Sequence, residues 1–131
     1  MTPLLLSVWL ACANPTSTPT ADQPSVTQPG AVDVATLKSA MDNGNITVID
    51  VRTDDEYNSG HVPGARHIPL NDLPGQLSSL QGMRDQEIYL ICAVGGRSAR
   101  AATLLAQEGF THPINVEGGT NAWRTAGYPL D

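Results

Sequence analysis

The stretch Glu87–Phe110, "EIYLICAVGGRSARAATLLAQEGF", reads as three pieces in a row. Glu87 to Cys92 is a short apolar run with the length and composition of a strand buried on both faces. Two glycines break it. From Gly96 the apolar residues Ala101, Leu104 and Leu105 recur at helical spacing, and Gly109–Phe110 closes the helix as a C-terminal cap. Strand, tight loop, helix is the unit from which parallel sheets are assembled. It sets Cys92 at the carboxyl end of a strand, where ligand sites gather.

The same alternation continues on either side. "DVATLKSAMDNG" predicts a helix with Asp33 as N-cap, Val34, Leu37 and Met41 on its apolar stripe, and Gly44 as its stop. "ITVIDV", Ile46 to Val51, is β-branched and reads as a buried strand. "RTDDEYNSGHVPGA" is loop and turn with one helical turn near Glu56 and Tyr57. "RHIP" is a short strand, and "NDLPGQLSSLQG" a helix starting at Asn71 or Asp72. "PINVEGG" supplies another strand and "TNAWRTAGYPL" a last short helix, with Trp123 and Tyr128 as packing residues. The pattern predicts an α/β fold: an open, mostly parallel sheet covered by helices on both faces.

The N-terminus is of another kind. "PLLLSVWLACA" has the length of a signal-peptide core and is too short to span a membrane. Its ending, Leu10-Ala11-Cys12, resembles the lipobox of bacterial lipoproteins, which predicts lipid attachment at Cys12 and an exported, envelope-located protein. A Pro/Thr/Ser-rich tether over residues 13–31 cannot bury a core. The folded domain is therefore expected over residues 32–131, with contact to a membrane only through the lipid. If Cys12 is spent on lipid, Cys92 is the sole thiol of that domain and has no disulfide partner within it.

Net charge is −6, and Lys38 is the single lysine. No basic stripe is present, which excludes a phosphate-tracking nucleic-acid binder. His61, His67 and His112 lack the spacing of a metal-ligand set, so no metal is expected.

What remains is the loop Cys92-Ala93-Val94-Gly95-Gly96-Arg97-Ser98. Its backbone N–H groups can converge on the sulfur, and the following helix adds partial positive charge. Gly95 and Gly96 allow the close approach, and Arg97 contributes a permanent charge. Together these favour a thiolate, the nucleophilic form. An inert buried thiol is the ordinary fate of a lone cysteine, but it would need neither the two glycines nor the arginine. Cysteine-dependent phosphatases and arsenate reductases space cysteine and arginine by five residues. Here the spacing is four, a narrower cradle suited to a terminal sulfane sulfur.

The loop resembles the active-site loop of the rhodanese family, Cys-x-x-Gly-x-Arg-Ser. The resemblance extends upstream to "DVRTDDEYNSGHVPGARHIPL", with Tyr57, His61, Pro63, Gly64 and Ala65 in their family places. Downstream it extends to "NVEGGTNAWRTAGYPL", and it covers about Val32 to Leu130. It implies a rhodanese-like three-layer α/β/α domain acting as a sulfurtransferase. Cys92 would take a sulfane sulfur from thiosulfate, polysulfide or a protein persulfide and pass it to a thiol or cyanide-like acceptor. No cofactor is implied. Ala93 and Val94 stand where thiosulfate-specific loops carry cations, so thiosulfate is expected to be a poor donor. Arg97 is then the main charge near the sulfur. Asp50 is expected to face the pocket, Arg52 to pair with Glu56, and His61 to brace a turn. A non-catalytic rhodanese-like binding module is the competing reading; such modules commonly lack the cysteine that this chain retains.

Overall fold

The computed structural model of the protein describes residues 28–131. The signal-like segment, Cys12 and most of the tether lie outside those described residues. The elements begin with β1 (Gly30–Val32), α1 (Val34–Asn43), β2 (Thr47–Asp50), α2 (Asp54–Asn58) and β3 (Arg66–His67). α3 (Leu73–Gln76) runs on into a 3₁₀ stretch at Leu77–Met83, where a single α-helix was expected. Then come β4 (Glu87–Ile91), α4 (Gly96–Gln107), β5 (His112–Val116) and α5 (Gly119–Thr125).

The five strands form one sheet in the order β1-β5-β4-β2-β3, and every pairing is parallel. β4 lies at the centre, which explains why its sequence is apolar on both faces. Ile88 and Leu90 point to one side with Ile49 and Val51 of the β2 strand and its end, under Ala101, Ala102 and Leu105 of α4. Tyr89 and Ile91 point to the other, with Val48, beneath Leu37 of α1 and Trp123 of α5. This is the three-layer α/β/α arrangement. Each fully buried aliphatic side chain contributes about 1.5–3 kcal/mol by leaving water.

The helix ends follow local chemistry. Asp33 caps α1 by accepting the Thr36 amide at 2.8 Å. α4 stops where Gly109 takes φ +90° and the Phe110 amide turns back onto the Leu105 carbonyl at 3.0 Å. β1 begins inside the segment read as tether. It adds to the sheet edge through Gly30 opposite Ile114, and the Glu117 amide extends the contact to the Val32 carbonyl at 2.7 Å.

Candidate active site

Cys92 follows the last residue of β4 and is a buried free thiol. Its side chain continues the Ile88–Leu90 face, so the sulfur points beneath the first turn of α4. The Gly95 amide donates to Sγ at 3.1 Å, and the Ser98 hydroxyl lies 3.3 Å from it. Gly95 makes this curl possible: φ is +110°, a conformation that residues with a side chain rarely adopt. Burial pushes the thiol up, but the Ser98 hydroxyl and the backbone N–H groups of Ser98, Gly95 and Val94 outweigh it. The net direction is down, toward thiolate.

The loop is held from below by α5. The Thr120 amide donates to the Cys92 carbonyl at 2.8 Å and the Asn121 amide to the Ala93 carbonyl at 3.1 Å. The start of α5 thus faces the carbonyls of the loop, leaving the loop N–H groups free to turn toward the sulfur. Gly119, at φ +57°, permits the contact, because a Cβ there would overlap the Cys92 carbonyl. In the sequence the pair Gly118–Gly119 is legible only through the family resemblance.

Arg97 departs from expectation. Its guanidinium is engaged by a carboxylate: NH1 and NH2 bind Glu56 two-pronged at 2.7 and 2.8 Å, and the charge of Cys92 acts on it only as a smaller, through-space effect. That hydrogen bond pulls Glu56 down to about 2 against the opposing effect of burial. The cradle beside the sulfur is therefore made of backbone N–H groups and Ser98, and the cation close by is largely balanced.

Two further expectations are corrected. Asp50 does not face the pocket: it is fully buried, and both its oxygens accept from Arg52, at 2.7 to 3.0 Å. Arg52 accordingly does not pair with Glu56. Arg52 precedes α2, whereas Glu56 sits on its first turn, closing a capping box with Thr53 and facing α4.

Of the other predicted site residues, Ala93 and Gly95 are half-buried, Val94 and Gly96 are exposed, and Ser98 is buried. Val94, at 66% exposure, is the exposed large hydrophobic side chain among the described residues, and it forms an apolar tip on the loop. Asn115 on β5, which sequence reasoning did not single out, accepts the Ser98 hydroxyl at 2.6 Å.

His61 braces a turn, as expected. Its Nδ1 lies 3.1 Å from the Tyr57 carbonyl, and its ring stacks on Tyr57 at 3.8 Å. His67 stacks on the other face of Tyr57 at 4.3 Å, so both rings are committed to structure. Trp123 is buried and donates to the Pro129 carbonyl at 2.7 Å. A cavity of about 220 Å³ opens between the ends of β2 and β3 and α4, lined by Val51, Thr53, Leu70, Asn71, Arg97 and Arg100. A larger one, about 290 Å³ along β3, includes His67 and Asp72 but no cysteine. Among the described residues no group of His, Cys, Asp and Glu could hold a metal ion.

This arrangement can hold a charged sulfur and present it to a small electrophile or a second sulfur. A sulfurtransferase of Allochromatium vinosum is 30% identical over 100 residues, spanning 76% of this chain and 92% of that one. The Bacillus subtilis protein YrkF is 34% identical over 93 residues, though this chain spans only 49% of its length. The crystal structure of a rhodanese-related protein from Thermoplasma volcanium superposes with a TM-score of 0.69 at 33% identity. It covers 78% of this chain and 97% of that one. Residues 33–126 match the rhodanese-like domain, and the chain belongs to that family.

Proposed function

We propose that the protein is a sulfurtransferase that carries a sulfane sulfur as a persulfide on Cys92. The observation that carries this reading is the sulfur itself: a free thiol at the end of β4, lowered toward thiolate by a curled loop of amides and the Ser98 hydroxyl. The thiolate attacks the outer sulfur of a donor such as thiosulfate. A new S–S bond forms, the donor's S–S bond breaks, and sulfite leaves with the electron pair. An acceptor thiolate or cyanide then attacks the outer sulfur of the persulfide, and Cys92 departs as thiolate. The cycle is a transfer between sulfane states and needs no external oxidant or reductant.

Charge favours some donors over others. With Arg97 balanced by Glu56, and Ala93 and Val94 uncharged, little attracts the dianionic thiosulfate. A protein persulfide, docking against the apolar tip at Val94, depends less on such a charge. The lipobox-like Leu10-Ala11-Cys12 supports a companion proposal, that the domain is exported and tethered by lipid on Cys12. Incorporation of a labelled fatty acid, lost in Cys12→Ser, tests it.

For the sulfur chemistry, the full chain is incubated with thiosulfate or polysulfide, desalted, and mapped by peptide mass without reductant. The expected result is one added sulfur on the Cys92 peptide, removed by cyanide and absent in Cys92→Ala. No added sulfur from either donor, on a protein whose Cys92 still alkylates, would favour the binding-module reading.

A further inference from the structure

Ser98 has one hydroxyl proton and stands between two groups that can use it. The hydroxyl donates to Asn115 Oδ1 at 2.6 Å, while Cys92 Sγ lies 3.3 Å from the same oxygen. With its proton committed to Asn115, Ser98 can only accept from the thiol S–H. It then has no donor to offer a thiolate. A thiolate requires the reverse: Ser98 must turn its proton onto sulfur, and the Asn115 oxygen would then face an oxygen with no proton between them.

Asn115 is a side chain that satisfies both arrangements. Its oxygen and NH₂ exchange places by a half-turn of the amide, with no other heavy atom moving. It is half-buried on β5. We propose that Asn115 is a positioning residue acting as a two-state amide. It presents Oδ1 to Ser98 while Cys92 is a thiol, and Nδ2 once the thiol proton has left to solvent. In the second state Nδ2–H donates to Ser98 Oγ, and Ser98 donates to the thiolate. The inner sulfur of a persulfide carries no full charge, so the first arrangement returns after sulfur is loaded.

The charged groups around the sulfur are Arg97 of α4, its partner Glu56 of α2, the Asp50–Arg52 pair ending β2, and Glu117 in the turn after β5. None of them touches Ser98 Oγ or the Asn115 amide through a hydrogen bond among the described residues, so the switch can be altered without disturbing them.

The test measures the alkylation rate of Cys92 by iodoacetamide against pH. It uses the full chain, with peptide mass separating Cys92 from Cys12. Asn115→Leu removes the amide at similar volume. A fixed acceptor stabilises the thiol alone, so this change frees the Ser98 proton and lowers the midpoint by about half a unit or more. The two-state amide loses one hydrogen bond in each protonation state, so the midpoint is expected to stay within about that half unit, and a larger shift in either direction overturns the proposal. The wild-type side-chain amide of Asn115 is followed by NMR across the same titration. Its signals are expected to move with the Cys92 midpoint, and constancy overturns the proposal whether or not the variant folds. The inference rests on Cys92 being the reactive sulfur. Alkylation uses no sulfur donor, so its failure and that of the persulfide experiment are separate results.

Discussion

Two arginine–carboxylate pairs stand at the carboxyl edge of the sheet, chemically alike and physically opposite. Arg52–Asp50 is buried, with side-chain exposures of 3% and 0%, and Arg52 also donates to the Gly60 carbonyl at 2.8 Å. Arg97–Glu56 is about one-third exposed on both sides. The first closes the end of β2 onto the turn after α2, out of reach of any substrate. The second ties α2 to the first turn of α4, next to the cysteine loop. Burial makes one pair a clamp. Exposure leaves the other adjustable, beside the cysteine loop.

The largest effect is expected on the clamp. Arg52→Met strands the Asp50 carboxylate in the interior, and removing one partner of a buried pair costs about 3–5 kcal/mol. Chemical denaturation at neutral pH should register that loss, while the double variant Asp50→Leu/Arg52→Met should recover a large part of it. A loss no greater than that of an ordinary surface pair would erase the distinction between the two arginines.

Acid should separate the pairs next. Glu56 ionises at about 2 in the fold against an ordinary 4.5, mainly because Arg97 binds its carboxylate. A carboxyl group lowered in the folded state binds protons more readily when unfolded. Its contribution is therefore complete above about 4.5 and is lost as pH falls toward about 2. Exposure limits the size to less than about 1 kcal/mol. Asp33, lowered by the Thr36 amide it caps, adds its own acid loss. The wild type minus Glu56→Gln difference in denaturation midpoint isolates the Glu56 part, and it should shrink across that window. A difference independent of pH would mean that charge is not what Glu56 contributes.

These pairs also mark where sequence reading ran out. The centre of the sheet was legible because β4 and β2 are apolar on both faces, and only a strand covered twice carries that pattern. α1 and α4 were legible from periodicity and end residues, down to the Asp33 cap. β1 was missed, because three residues beginning with Gly30 show no alternation and join the sheet only through β5. The arginine partners were misassigned for a related reason. Arg52 and Glu56 are four apart, a helical spacing, yet Arg52 lies before the helix starts. The true partners depend on a curl at Asp50 and on a contact across 41 positions in the chain. Cys92 was legible from its place between strand and glycines. Asn115 was not, since its role depends on β5 lying beside β4 and reaching the first turn of α4.

The smallest expected effect is the most informative about the site. Glu56→Gln keeps a side chain able to close the capping box with Thr53 and to accept one hydrogen bond from Arg97, so it changes charge more than shape. Arg97 then stands beside the loop with its charge uncompensated. Attraction across a partly exposed gap is worth less than about 1 kcal/mol in salt, a shift of about two- to five-fold in binding. KM for thiosulfate should fall by that factor, more at low ionic strength, with little change for a neutral organic trisulfide donor. An equal fall for both donors would mean that the variant loosens the loop. No fall for either would mean that Arg97 does not reach the donor site even when released, leaving the backbone amides and Ser98 as the whole of the cradle.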